Sequence, residues 1–351
     1  MDKMTSDWGY RSGGLWRRFL VKRSAVTRCF ARCLMAGMLV GWWSGLATAQ
    51  AQGYPNKPLR FMAGYPAGGP TDIAARIIAP KLSERLGQPV IVDNRSGAGG
   101  IIGVDSVAKA VPDGYTIGFG GTGPLTVNVT LQPNLPYSPI RDLAPITMAI
   151  KIPLILVANP SFSANDVREL IALAKARPGQ LSIGSSGTGG AMHLAGVLLT
   201  KMGGIDLVHV QYKGSSPAAI DLMGGQIPLA VVDLASTRNF IKAGKIKALG
   251  TMGPTRSQLA PDIPTIAESG LPGFVAQSWV GIVAPAHTPR EIVARLNSDL
   301  VAILESADTR ERLLPAGLEP SPSSPEEFSE VIRSEISRWA KVIRDAKIEV
   351  N

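Results

Sequence analysis

At 351 residues and 45% hydrophobic composition, the chain is long enough for two domains with a core each. Its formal net charge of +9 is misleading as a sign of a nucleic-acid partner: residues 1–51 carry eight basic residues against Asp2 and Asp7, leaving about +3 on the remainder. Both cysteines, Cys29 and Cys33, lie in that same segment, so the remainder has no disulfide, cysteine nucleophile or thiolate metal site.

Taken in chain order, the first element is not structural. Lys3, Arg11, Arg17, Arg18, Lys22, Arg23, Arg28 and Arg32 precede the apolar segment CLMAGMLVGWWSGLATA and then Ala49-Gln50-Ala51. A basic region, an apolar region and an A-x-A site spell a secretory signal peptide over 1–51, cleaved before Gln52 to release a soluble exported protein. From LRFMA (59–63) onward, strand-like runs alternate with helical ones: VIVDN (90–94), YTIGFG (115–120), PLILVANP (153–160), LSIGSSG, VHVQYKG, IPLAVVD, IKALGTM and SWVGIVAPAHTP read as strands. Between them, helices are expected after Pro70, over IIGVDSVAKAVPDG, over SANDVRELIALAKARPG with Ser163 or Asn165 as its cap, near Ala191, from Pro217 behind a Ser215 or Ser216 cap, and after Pro289. The last helix starts at SPEE with Ser324 before Pro325. This grammar predicts an α/β protein with mainly parallel sheets, divided into one lobe from 53–154 plus 278–351 and a second from 155–277.

Two junctions stand out. In GYPAGGPTD (64–72) a strand ends, two glycines follow, and Pro70-Thr71-Asp72 opens a helix of apolar spacing. SIGSSGTGGAMHLAG (182–196) repeats the pattern and adds the hydroxyls of Ser185, Ser186 and Thr188. A helix N-terminus presents backbone N–H groups and the positive end of its dipole, and glycine lets a ligand approach the backbone, so each junction is an anion site in waiting. Each is also explicable as a turn with Thr71 or Asp72 as an ordinary cap, but the pair, one per lobe, points to a single anion gripped from both sides. Lys213, just after a strand, and Asp233, at the end of LAVVD, occupy further strand ends where open α/β sheets bind ligands. For these two, surface exposure and a helix cap are the competing explanations.

Enzyme-like motifs fail on context. GFGGTG fits G-x-G-x-x-G after a strand, yet Pro124 and LTVNVTL read as extended rather than as the helix that a dinucleotide site requires. SVAK (106–109) lacks its companion motifs, and GSSGTGG has Thr188 where a nucleophile elbow needs glycine. His193, His209 and His287 have no metal-ligand spacing, although His193 lies at the ligand-side loop. No catalytic set, metal site or cofactor is expected.

YPAGGPTD, NRSGAGGIIG, PDGYTI, GSSGTGGAMHLAG, HVQYKGSSPAAIDLMGGQ, PTIAESGLPGF and SWVGIVAPAHTP occur in order from Tyr54 to the C-terminal helix. Together they resemble the Bug family, the TctC-like extracytoplasmic solute receptors of tripartite tricarboxylate transporters. The resemblance implies a type II periplasmic-binding-protein fold whose two α/β lobes close on a small organic carboxylate, partly through water. It implies Tyr65, Ala67, Gly68, Gly69 and Asp72 as binding residues in the first loop, and Ser185, Ser186, Gly187, Thr188, Gly189 and His193 in the second. Lys213, Gly214 and Asp233 would stand at the other edges. Gly190 replaces the usual Ser or Thr, Gln211 the common Pro, and Val232 a frequent aromatic, which alters the distal pocket but leaves the carboxylate clamp. The implied partners are a di- or tricarboxylate, amino acid or aromatic acid and the permease subunits of such a transporter, with the receptor a monomer. Two other readings share these residues: a ligand sensor for a membrane signalling protein, and an exported hydrolase using a serine of GSSGTGG.

Overall fold

A computed structural model describes residues 53–65, 67–186, 190–212 and 214–348, without the side chain of Ser186; the expected signal peptide, Gly187, Thr188, Gly189 and Lys213 lie outside the described residues. The strands are β1 (Leu59–Ala63), β2 (Val90–Asn94), β3 (Thr116–Gly121), β4 (Leu143–Ile152), β5 (Leu154–Ala158), β6 (Leu181–Ser186), β7 (Leu207–Tyr212), β8 (Leu229–Asp233), β9 (Lys247–Thr251), β10 (Ser278–Pro285) and β11 (Glu319–Pro320). The helices are α1 (Pro70–Leu86), α2 (Ile101–Ala108), α3 (Asn128–Leu131), α4 (Val167–Ala176), α5 (Ala191–Gly203), α6 (Ser215–Met223), α7 (Leu234–Lys242), α8 (Arg290–Glu305), α9 (Ala307–Leu313) and α10 (Pro325–Ala346).

The strands form two sheets, ordered β11-β4-β10-β3-β1-β2 and β7-β6-β8-β5-β9. Chain crossings between the sheets occur at Pro153, from β4 to β5, and on the stretch from β9 to β10. The two α/β lobes expected from the sequence are therefore present, but the sheets are mixed rather than mainly parallel. The crossing strands cause this: β10 runs antiparallel to β3 and β4, and β5 antiparallel to β8 and β9, while β1-β2, β1-β3, β6-β7 and β6-β8 are parallel.

Each sheet buries both faces, which is why its central strands read as continuous apolar runs. On the first sheet Phe61, Ile78, Leu82, Ile282 and Leu300 pack beneath α1 and α8, and Met62, Val104, Leu125, Trp279 and Phe328 fill the opposite face. The rings of Trp279 and Phe328 meet edge-on at 5.5 Å. The second sheet buries Leu156, Ile183, Leu199 and Val231 on one side and Ile155, Val157, Leu222 and Val232 on the other. Helix α10 spans both bodies: Phe328 and Ile332 belong to the first core, Trp339, Val342 and Ile343 to the second. Its start is a full capping box, with the Ser324 hydroxyl accepting from Glu327 N and the Glu327 carboxylate accepting from Ser324 N.

Several local expectations are corrected. Residues 123–131 are helical, a five-residue π turn followed by α3, because Leu125, Val127 and Leu131 are driven into the cores and this burial outweighs the β-branched residues of LTVNVTL. The cap of α4 is Asp166, whose carboxylate accepts from Glu169 N, rather than Ser163 or Asn165. Helix α6 begins at Ser215 behind Gly214, so neither serine is its cap.

Candidate functional site

The two glycine junctions stand at the seam between the sheets. Ile152 at the end of β4 runs through Pro153 into Leu154, and Leu154 pairs with Asp233 at the carboxyl end of β8. In the first sheet Ile152 pairs with Ser278, and Val280 of β10 lies opposite Gly121 at the carboxyl end of β3, which is parallel to β1. The carboxyl ends of β1 and β3 therefore meet the same seam as those of β6, β7 and β8, which is where ligands bind in open α/β sheets.

Helices α1 and α5 start alike. The N-cap of α1 is Gly69 (φ −79°, ψ 172°) and that of α5 is Gly190 (φ −73°, ψ 164°), so neither N-cap residue has a side chain with which to cap its helix. Capping by Thr71 or Asp72, expected as one reading of the first junction, does not occur. Asp72 points backwards instead. Its buried carboxylate accepts Gly68 N (2.9 Å), Arg76 Nε (2.9 Å) and Asn94 Nδ2 (3.0 Å), and Asn94 Nδ2 also donates to the Tyr65 carbonyl (3.3 Å). The Arg76 hydrogen bond, reinforced by those from Gly68 and Asn94, holds the Asp72 carboxyl down at about 2 against the cost of burial. Gly68 itself has φ +81°, a conformation that glycine adopts without penalty.

The phenol of Tyr65 lies against Gly100 and Gly121; a Cβ at either would come within 2.8 Å of its hydroxyl. Desolvation pushes that hydroxyl up to about 12, so it remains a neutral donor. Behind it, Gly103 and Gly64 bring α2 against the loop so closely that a Cβ on Gly103 would sit 2.3 Å from Gly64 Cα. Gly100 and Gly103 of NRSGAGGIIG thus serve packing around the first loop, while Gly118 and Gly120 let β3 pack against Met62, Val107 and Leu125. Packing thus accounts for Gly118 and Gly120 of GFGGTG, and the helix that the sequence reading denied to this motif is present.

In the second junction Ser185 is 1% exposed and its hydroxyl has no hydrogen-bond partner among the described residues. His193, in the first turn of α5, meets His209 edge-on at 5.2 Å. Burial, with a smaller contribution from His209, depresses His193 to about 4, so at neutral pH the ring is uncharged. Asp233 caps α7, its Oδ1 accepting Ser236 N (2.8 Å) and Oγ (2.7 Å), while its own N–H donates to Ser215 Oγ (3.2 Å). Ala67 is exposed and Gly214 precedes α6 with φ +144°. Ser215, expected from the sequence only as a helix cap, and Asn94, quoted only as the start of NRSGAGGIIG, bond to the ends of neighbouring elements, a role that their sequence context does not signal. Among the described residues no cluster of His, Cys, Asp or Glu suits a metal ion, and no helix is long and apolar enough to cross a membrane.

A family profile described as "Tripartite tricarboxylate transporter family receptor" (TctC) matches residues 74–348. The chain belongs to this receptor family. It is 37% identical to the protein BugT of Bordetella pertussis over 321 residues, 91% of this chain and 98% of BugT. Among solved structures, Rpa4515 of R. palustris with adipate shares 35% identity with a TM-score of 0.73, covering 85% of this chain and 99% of that one. MatC (Rpa3494) from Rhodopseudomonas palustris with bound malate shares 32% identity with a TM-score of 0.69, covering 83% and 100%. The fold of this TctC receptor is accordingly the two-lobe α/β fold of periplasmic binding proteins, and its relatives are binding proteins.

Proposed function

We propose that this receptor captures a small dicarboxylate between its lobes, 53–154 with 278–351 and 155–277, and hands it unchanged to the permease of a tripartite tricarboxylate-type transporter. One observation carries the reading: Gly69 and Gly190 start helices at carboxyl strand ends of two different sheets in nearly the same conformation, and a glycine N-cap brings no capping side chain of its own. Backbone N–H groups at helix N-termini and aligned dipoles satisfy a carboxylate without arginine, because hydrogen bonds to an ionised acceptor are the stronger kind. The orphan Ser185 hydroxyl adds a donor. Tyr65, Ala67, Gly68, Gly69, Ser185, Ser186, Gly187, Thr188, Gly189, His193, Lys213, Gly214 and Asp233 surround the ligand in this account, and Asp72 holds the first loop in shape. Adipate on one relative and malate on another support a dicarboxylate as the class. Residues 1–51 direct export to the periplasm, where the receptor acts as a monomer.

The test is a thermal-shift series on protein unfolded and refolded to remove carried-over ligand, with adipate, malate, citrate and benzoate against adipamide. A ligand at a hundredfold excess over its Kd stabilises by about 2.7 kcal/mol. A shift with a dicarboxylate that adipamide does not give is the expected result; equal shifts with acid and amide, or none, would reject the carboxylate clamp.

A further inference from the structure

A carboxylate bridges the two lobes on the flank of the seam away from the glycine loops. Glu319 lies in β11, the edge strand of the first sheet, paired with Lys151 of β4. Its Oε1 accepts Ser257 Oγ (2.5 Å) and Gln258 N (2.9 Å). From the same side, Arg310 of α9 donates to Gln258 Oε1 (3.1 Å). Ser257 and Gln258 ride on the second lobe: the segment after β9 is tied to the second sheet by Met252 N to Leu154 O (2.9 Å), and Leu259, Ala260 and Ile263 pack on the second sheet's core. Glu319 and Arg310 ride on the first lobe, beside Leu313 and Leu318 of its core. A third contact joins the same bodies, since a Cβ on Gly317 would fall 2.0 Å from Ala235 Cβ at the start of α7.

Strand order fixes the side. In the first sheet β11 and β4 lie at one end and β1 and β2 at the other; in the second, β9 and β5 lie at one end and β6 and β7 at the other. The crossings use β4, β5, β9 and β10, so the glycine loops stand on one side of the hinge strands and the Glu319 bridge on the other. A polar cavity of about 280 Å³ adjoins the bridge, lined by Lys151, Arg256, Gln277, Ser278, Glu319 and Ser321 among others. It provides room for this flank to change shape as the lobes rotate.

We infer that Glu319 is a positioning residue that latches the hinge against closure of the ligand cleft, and so sets affinity from outside the binding site. Rotation about the crossing strands that brings the glycine loops together draws β11 away from the 256–259 loop and breaks its hydrogen bonds. Apparent affinity scales with the fraction of molecules able to close, so weakening the latch tightens binding. The inference rests on the cleft reading above.

The experiment uses the full chain with Cys29→Ser and Cys33→Ser, spin-labelled at Val111→Cys on the first lobe and Ile220→Cys on the second, both exposed. Pulsed-dipolar distances are recorded without ligand and with adipate or malate, for the parent, Glu319→Ala, Ser257→Ala, the double variant, and Glu311→Ala as an exposed control. Expected are a ligand-free distribution moved toward the ligand-bound one in Glu319→Ala and Ser257→Ala, about three- to tenfold tighter binding, and no further gain in the double variant. Looser binding, or a ligand-free distribution unchanged in both variants while circular dichroism shows them folded, would overturn the latch. Absence of binding by the parent protein would instead reject the dicarboxylate reading, and the ligand-free distances would still decide the latch.

Discussion

The carboxylate of Asp72, inside the first turn of α1, accepts the N–H of Gly68, four residues earlier, at 2.9 Å. The bond folds the first loop back on its own helix and leaves the N-cap position at Gly69 open. Asp72→Ala removes the acceptor for Gly68, Arg76 and Asn94 together, and urea unfolding at pH 7 is expected to show a loss of about 2 to 3 kcal/mol. Dicarboxylate affinity should fall with it.

Acid supplies a second check on the same residue. A carboxyl held at about 2 in the folded protein, below its unfolded value, stabilises fully above the unfolded value near pH 4, and that contribution disappears as pH falls toward 2. The stability gap between wild type and Asp72→Asn should therefore be constant from pH 7 to 5 and shrink by pH 2.5. A gap independent of pH would mean that the ion pair with Arg76 is not the source.

Ser185 separates binding from folding. Its buried hydroxyl has no partner among the described residues, so Ser185→Ala should leave stability within about 0.5 kcal/mol of wild type or raise it, while Kd rises by about three- to tenfold. Calorimetry and urea melts on one preparation distinguish this from a general packing role, which would lower stability instead.

The two histidines act in the same direction as Asp72 but over a higher pH window. Burial depresses both, His193 to about 4, so on acidification the unfolded chain takes up protons near pH 6.5 that the folded chain refuses. Stability is lost as pH falls from 6.5 toward 4. The slope of unfolding free energy against pH across that range should be shallower in His193→Gln; an unchanged slope would exclude His193 as a source.

Close backbone approach gives a steric prediction. Gly103→Ala forces a methyl to within 2.3 Å of Gly64 Cα and should cost about 1 to 3 kcal/mol, with reduced ligand affinity, because the helix behind the first loop must retreat. Gly123→Ala meets nothing nearer than the Gly99 carbonyl at 4.0 Å and should be neutral or slightly stabilising in melting temperature.

What the sequence disclosed was local. The strands that feed the glycine junctions, the helices that follow them and the Ser324 cap are written in consecutive residues, and these are found where the sequence places them. Strand β4 is not legible in the sequence: LAPITMAIKI carries Pro145 within the run, and it becomes a strand by lying between β10 and β11, which follow it by more than a hundred residues. The same distance hid the mixed sheets, because direction depends on where the crossing strands insert. LTVNVTL misled because Thr126, Val127, Val129 and Thr130 favour strands in isolation, whereas Leu125, Val127 and Leu131 are buried as a helix. Nor does any motif announce the Glu319 bridge, which joins residues 62 positions apart.

Amide spectra address the central claim, a carboxylate held between two glycine-capped helix starts. With the refolded full chain uniformly labelled with nitrogen-15 and titrated with the acid that stabilises it most, the account predicts downfield proton shifts at Gly69, Thr71, Gly190 and Ala191, the first turns of both helices, at a single stoichiometric point. Shifts confined to one of the two junctions, or largest elsewhere in the chain, would contradict it.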